Sequence, residues 1–197
     1  MKDAQIRAAL KLALLAQYGG DPDTVIIDEL GLRHGSSRID LVAVNGDLHG
    51  FEIKSDQDTL TRLPNQARIY NSVLDSVTLV AGGRHVGPAT HLVPEWWGIQ
   101  VAEAQGDDRV FLRELRLART NPAHEPLAIA KLLWRDEALE FLEELGEAKG
   151  FHSKPRGTIY SRLVMVTTLD QVRARVRRQL KDRVNWRAAG RQVSCGG

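Results

Sequence analysis

Asp40, Glu52 and Lys54 are the residues of this 197-residue chain whose types and spacing could do chemistry together. They fall in one stretch, residues 38–54 (RIDLVAVNGDLHGFEIK), which reads as two short strands around a turn. Two carboxylates and an ammonium at the end of a hairpin can bind a divalent cation and activate a water beside it.

The pairing of that hairpin follows from its letters. Asn45-Gly46 is a strong turn signal, and its flanks are rich in Val, Ile, Leu and Phe. A two-residue turn would pair Val44 with Asp47 and send Asp40 and Glu52 to opposite faces, because side chains alternate with a period of two. A three-residue loop, Asn45-Gly46-Asp47, pairs Val44 with Leu48 and Asp40 with Glu52. It also gathers Ile39, Leu41, Phe51 and Ile53 on one apolar face. Only this parity serves both the core and the acids, so the three-residue loop, or a bulge of the same effect, is the expectation. Lys54, two residues past Glu52, leans over the same face.

The neighbouring elements must position this hairpin. Residues 3–17 carry a helical stripe of Ile6, Leu10, Ala13 and Leu14, ended by Gly19-Gly20. Residues 24–30 read as a strand with Asp28 and Glu29 at its far end, and residues 31–37 as a loop. Ser55 with Asp58 suggests a helix start. Pro64 implies a break near Leu63 and a fresh turn from there, with helix continuing over residues 65–74. Residues 76–81 read as a buried strand and residues 85–92 as a short helix. A second hairpin spans residues 98–103 and 109–115 around Gly106-Asp107. Helical apolar spacing over residues 127–145 gives two helices joined near Arg135-Asp136. Residues 150–157 read as a loop, and residues 159–166 fit helix or strand equally. Thr168 and Gln171 form a capping box that opens a helix to about Trp186, with Leu169, Val172, Val176, Leu180 and Val184 on one stripe.

Composition narrows the class. The chain is 43% hydrophobic and 26% charged, which is ordinary for a globular protein in water. Its one cysteine, Cys195, excludes an internal disulfide and fits a cytoplasmic protein with a free thiol in a frayed tail. No apolar run approaches about 18 residues, so no membrane partner is expected. Charge is uneven: residues 151–197 hold 11 Lys+Arg and 2 Asp+Glu, a balance of +9, against −7 for the remainder. A basic segment on an acidic body suggests a polyanion partner; a solvated charged helix packed on the core explains the same letters. Two successive helices, the second basic, also permit a helix-turn-helix-like module.

Asp40, the run Glu52-Ile53-Lys54, and Gln66 with Tyr70 together resemble the PD-(D/E)XK, or restriction-endonuclease-like, nuclease superfamily. Gln66 and Tyr70 are similar to the Q-x-x-x-Y helix motif of its RecB-like branch, and on helical spacing they share a face. Ile39 stands where a proline usually precedes the hairpin aspartate. The run EIKSDQDTLTRL and the later Pro94-Glu95-Trp96-Trp97-Gly98 also look like a poorly characterised bacterial branch. The resemblance covers roughly the first half of the chain. It implies that Asp40, Glu52 and the backbone carbonyl of Ile53 hold Mg²⁺ or Mn²⁺, with Glu29 binding directly or through water. It implies that Lys54 orients the attacking water, that Gln66 hydrogen-bonds the site and that Tyr70 contacts the nucleic-acid backbone. Arg62, Lys154 and Arg156, with Arg173, Arg177 and Lys181 on the basic helix, are the phosphate-binding candidates.

The expectation is therefore an α/β protein with a restriction-endonuclease-like core, a mixed central sheet flanked by helices, over residues 1–118. A helical, basic extension follows over residues 119–197. The expected activity is metal-dependent hydrolysis of DNA phosphodiesters, and a homodimer is compatible with it. The alternatives are an RNA-directed nuclease, a catalytically inactive nucleic-acid-binding module of the same fold, and a protein-interaction subunit of a larger complex.

Overall fold

The computed structural model describes residues 1–35, 37–106 and 109–193, without the side chains of His34 and of residues 186–193. Cys195 and Asp107 of the second turn lie outside what is described, while the last helix, expected to end near Trp186, runs on to Val193. The chain is a mixed α/β structure built on one six-stranded sheet in sequence order. Helix α1 (Asp3–Tyr18) leads into β1 (Val25–Leu32), a single 3₁₀ turn (Arg33–Gly35), β2 (Ser37–Val44) and β3 (Leu48–Lys54). Helix α2 (Leu63–Asn71) crosses to β4 (Ser76–Gly82), and α3 (Gly83–Thr90) crosses to β5 (Gly98–Gln105) and β6 (Arg109–Arg116). Strands β1, β2 and β3 are antiparallel, β3, β4 and β5 are parallel, and β6 returns antiparallel on β5. Four helices complete the described chain: α4 (Pro126–Ala130), α5 (Arg135–Glu144), α6 (Arg156–Val166) and α7 (Leu169–Val193). No helix among the described residues is long and apolar enough to cross a membrane.

The sheet has a core on each face. Ile6, Leu10 and Leu14 of α1 close over Leu41, Ala43, Phe51, Ile53 and Val80, while Ala13 is exposed. The other face meets α2 through Leu63, Ala67 and Tyr70 and α7 through Val172, Val176 and Leu180, in one larger core. That core runs unbroken past residue 118, so the C-terminal helices are packed on the sheet. Residues 159–166, open between helix and strand by their letters, are helical, and their Ile159, Tyr160 and Leu163 are buried in the same core.

The three-residue loop is as expected, with Val44 paired to Leu48 and Leu41 to Phe51, but the expected pairing of Asp40 with Glu52 is not part of the ladder, which ends at Leu41 and Phe51. Ile39 departs from the expectation. It lies in the α2-side core, not beside Leu41, Phe51 and Ile53. The reason is a change of phase. Strand β1 pairs Asp28 with Leu41 and then Leu30 with Ile39, leaving Glu29 and Asp40 outside the ladder. Glu29 has a left-handed backbone, φ 55°. On β1 the α2-side residues are Val25 and Ile27 before this point and Leu30 and Leu32 after it. On β2 they are Val44 and Val42 on one side of the skip and Ile39 on the other. Both strands thus change phase together, and Gly50 of β3 leaves the room that Ile39 fills.

The helix expected from Ser55 is also corrected. Residues 55–62 form turns, and helix begins at Leu63 with Pro64 in its first turn. Asp58 does accept hydrogen bonds from the Ser55 N–H and hydroxyl, at 2.7 and 2.6 Å, but these close a turn. Strand β1 runs on through Leu32, further than its letters implied.

Candidate active site

The phase change places Asp40 where β2 and β3 part. Their ladder ends at Leu41 and Phe51, and the Ile53 N–H donates instead to Asp40 Oδ2 at 2.8 Å. The carboxylate thus sits at the gap between the strands. Arg7 of α1 donates to Asp40 Oδ1 at 2.6 Å and to the Asp40 carbonyl at 3.1 Å. It also lies 3.3 Å from Asp3 and 3.4 Å from Glu29, whose other oxygen is 2.9 Å from Arg38.

Glu52 and Lys54 alternate onto the α2 side of β3, and both are nearly sealed from water, at 2% and 6% exposure. The Lys54 ammonium donates to Glu52 Oε1. Gln66 and Tyr70, one helical turn apart on α2, close on the same carboxylate. The Gln66 amide donates to Glu52 Oε1 at 2.7 Å, and the Tyr70 hydroxyl lies 2.7 Å from Oε2. Glu29, Asp40, Glu52, Ile53, Lys54, Arg62 and Gln66 line a single cleft of about 690 Å³.

Burial pushes the Asp40 carboxyl above its usual range, against the pull of the Ile53 N–H, Arg7 and Lys54. Burial likewise raises Glu52, with Asp40's charge adding to it and Lys54 and Tyr70 opposing. Burial and the adjacent Glu52 raise Tyr70, which stays protonated as a donor. Desolvation therefore outweighs the cations already present, and the carboxylates favour further positive charge.

The letters brought Asp40, Glu52, Lys54, Gln66 and the Ile53 backbone to one place, and Glu29 and Arg62 to its walls. Tyr70 is a correction: it is wholly buried, stacked 6.1 Å from Trp97, and cannot reach a nucleic-acid backbone. Its large ring belongs to the core, and only its hydroxyl faces the site. Three phosphate candidates stand differently from a free basic face. Arg173 is 2.6 Å from Asp75, Lys181 is 2.7 Å from Asp23, and Arg177 is half-buried. Arg156 begins α6, and Lys154 is exposed in the loop before it. Arg7 was missed, because α1 read as a packing helix; the one signal was an acid four residues before a base, Asp3 and Arg7, in its first two turns. Among the described residues no three His, Cys, Asp or Glu side chains converge as a ready metal cage.

The family of bacteriophage P4 protein cII matches residues 1–190 of the chain. Protein cII of Enterobacteria phage P4 is 33% identical over 99 residues, half of this chain, and the match spans only 37% of that relative's length. A solved protein of unknown function from Silicibacter pomeroyi shares 18% identity with a TM-score of 0.44, over 79% of this chain and 99% of its own.

Proposed function

The chain belongs to the bacteriophage P4 protein cII family, and from the residues of its cleft we propose that it is a metal-dependent nuclease hydrolysing DNA phosphodiesters, of the PD-(D/E)XK kind that its letters resemble. The observation that carries this reading is the convergence of Asp40, Glu52, Lys54 and Gln66, from two strands and a helix, on one cleft.

The donors suit a hard divalent cation. They are carboxylate oxygens whose protonation is favoured by burial, and Gln66 Oε1 beside them is buried without a hydrogen bond. Asp40, Glu52 and the Ile53 carbonyl would hold Mg²⁺ or Mn²⁺, with Glu29 able to reach it through water. Such an ion supplies polarisation of the phosphate and a more acidic water. Lys54, fixed by Glu52, holds positive charge over the same cleft and steadies a phosphate oxygen or the water that attacks it. Gln66 and Tyr70 fix the Glu52 carboxylate in place. Arg7 already touches Asp3 and Glu29, so it can leave Asp40 Oδ1 without losing its counter-charge.

The seat of Arg7 on Asp40 also favours a second reading, a nucleic-acid-binding module of this fold without catalysis. Linear and circular DNA, and RNA, incubated with Mg²⁺, Mn²⁺ or EDTA decide between them. Metal-dependent cleavage that disappears in Asp40→Ala and Lys54→Ala supports the nuclease. Binding without cleavage in every metal supports the second reading, and cleavage of RNA alone moves the substrate.

A further inference from the structure

We propose that the pocket between β1 and the C-terminal helices is a separate subsite for single-stranded nucleic acid, holding a base on Trp134 and a phosphate on Lys131 and Arg156. The inference rests on the nucleic-acid reading above and adds the strand class that the protein grips.

The pocket has a volume of about 390 Å³, with residues 27–31 of β1 on one wall and residues 131–135 opposite. Its charges divide into engaged and unengaged. Arg183 is bound to Glu137 and, at 3.0 Å, to the Leu132 carbonyl. Arg135 contacts Asp136 at 3.0 Å and the His152 carbonyl. On the β1 wall, Asp28 has Lys11 at 2.7 Å, and Glu29 has Arg7 and Arg38. Lys131 and Arg156 line the same pocket and have no ion pair or side-chain hydrogen bond among the described residues. What remains to seek a partner there is positive.

Trp134 stands beside these cations, 56% exposed. The Arg183 guanidinium lies 4.2 Å from its ring centroid. Because Arg183 is itself held by Glu137, the indole is stacked on a fixed partner and presents a steady plane. An aromatic plane next to free cations is the chemistry that grips a single strand, since an unpaired base stacks and its phosphate meets the charge. A duplex hides those base faces in its own stack. Glu29 and Gly35 line both this pocket and the catalytic cleft, so one strand can pass from one to the other along the surface. DNA and RNA single strands share this chemistry.

The test is fluorescence anisotropy of the full chain in EDTA, with labelled oligothymidylate, oligouridylate and a duplex of about fifteen units each. The parent should prefer single strands to duplex. Trp134→Leu should weaken single-strand binding roughly tenfold, the size of one lost base stack, and Trp134→Phe should restore most of it. The double variant Lys131→Ala/Arg156→Ala should weaken it similarly, and it decides the matter if Trp134→Leu melts early by circular dichroism. Loss on one sugar type alone, or on both, upholds the subsite and names the ligand. Single-strand affinities within about twofold of the parent in the charge variant and in every folded Trp134 variant, or a preference for duplex, overturn it. Pocket-dependent binding without cleavage in any metal would defeat the nuclease reading and leave the subsite standing. Cleavage with binding indifferent to the pocket would do the reverse.

Discussion

At the scale of single residues, the Glu52–Lys54 pair sets the stakes of the site. Both side chains are buried, so their attraction does little more than offset lost hydration, and removing one partner strands the other. Lys54→Ala should therefore destabilise the fold by about 3–5 kcal/mol in urea titrations. The double variant Glu52→Gln/Lys54→Met should recover most of that stability while remaining unable to cleave, which separates folding from chemistry. His49, three residues earlier on β3, tests burial in the opposite sense. Its ring stacks on Phe51 at 4.3 Å and lies 2.9 Å from the Thr78 hydroxyl. Burial pushes its pKa down from 6.5 to about 4. Between those values the unfolded chain takes up a proton that the folded chain refuses, so His49 costs stability as pH falls through that window and nothing above it. His49→Gln should gain on the parent by up to about 2 kcal/mol between pH 7 and pH 4, a ceiling set by the ring's partial contact with solvent. Urea midpoints that stay parallel over that range would contradict this.

At the scale of elements, Gly50 links β3 to the phase change in β2. A Cβ there would lie 2.5 Å from the Ile39 Cδ1 and 2.6 Å from the Leu74 Cδ1. Gly50→Ala should cost about 1–3 kcal/mol by overpacking. Ile39→Val removes one of the two clashing methyls, so the double variant should lose less than the two single losses combined, by a double-mutant cycle. The same region marks the limit of what the letters conveyed. The order of elements, the hairpin register and the meeting of Asp40, Glu52, Lys54 and Gln66 were legible, because turn chemistry, alternation and helical spacing are local. The side taken by Ile39 was not, because strict alternation carries a strand straight through Asp40, and nothing local marks Glu29 as left-handed. The turn after Lys54 misled for a related reason: a Ser–Asp pair three apart closes a turn as readily as it opens a helix. Arg7's place at the site was not legible because, apart from Asp3, its acidic partners are 22 and 33 positions away along the chain.

At the scale of the whole molecule, the basic C-terminal segment is less free than its composition. Arg173 and Lys181 are held on the sheet body through Asp75 and Asp23, Arg175 is buried against Glu140 and Glu144, and Arg183 is held by Glu137. Among the described residues, Arg62, Lys131 and Arg156 line the cleft or the pocket without such partners, and Lys154 is exposed in the loop just before Arg156. Four phosphate contacts on a single strand give a log–log salt slope of about −3. A slope steeper than about −5 in anisotropy titrations would mean that α7 exchanges its internal partners for the ligand. The skipped pair in β1 and β2 has a further consequence for how such a chain can change length. Glu29 and Asp40 are, in effect, one extra residue in each of two neighbouring strands. Deleting either alone would throw its strand out of step with the other, whereas deleting both would leave an uninterrupted hairpin with its apolar sides matched. A descendant shortened in that coupled way could keep the architecture while discarding two of the acids that line the cleft.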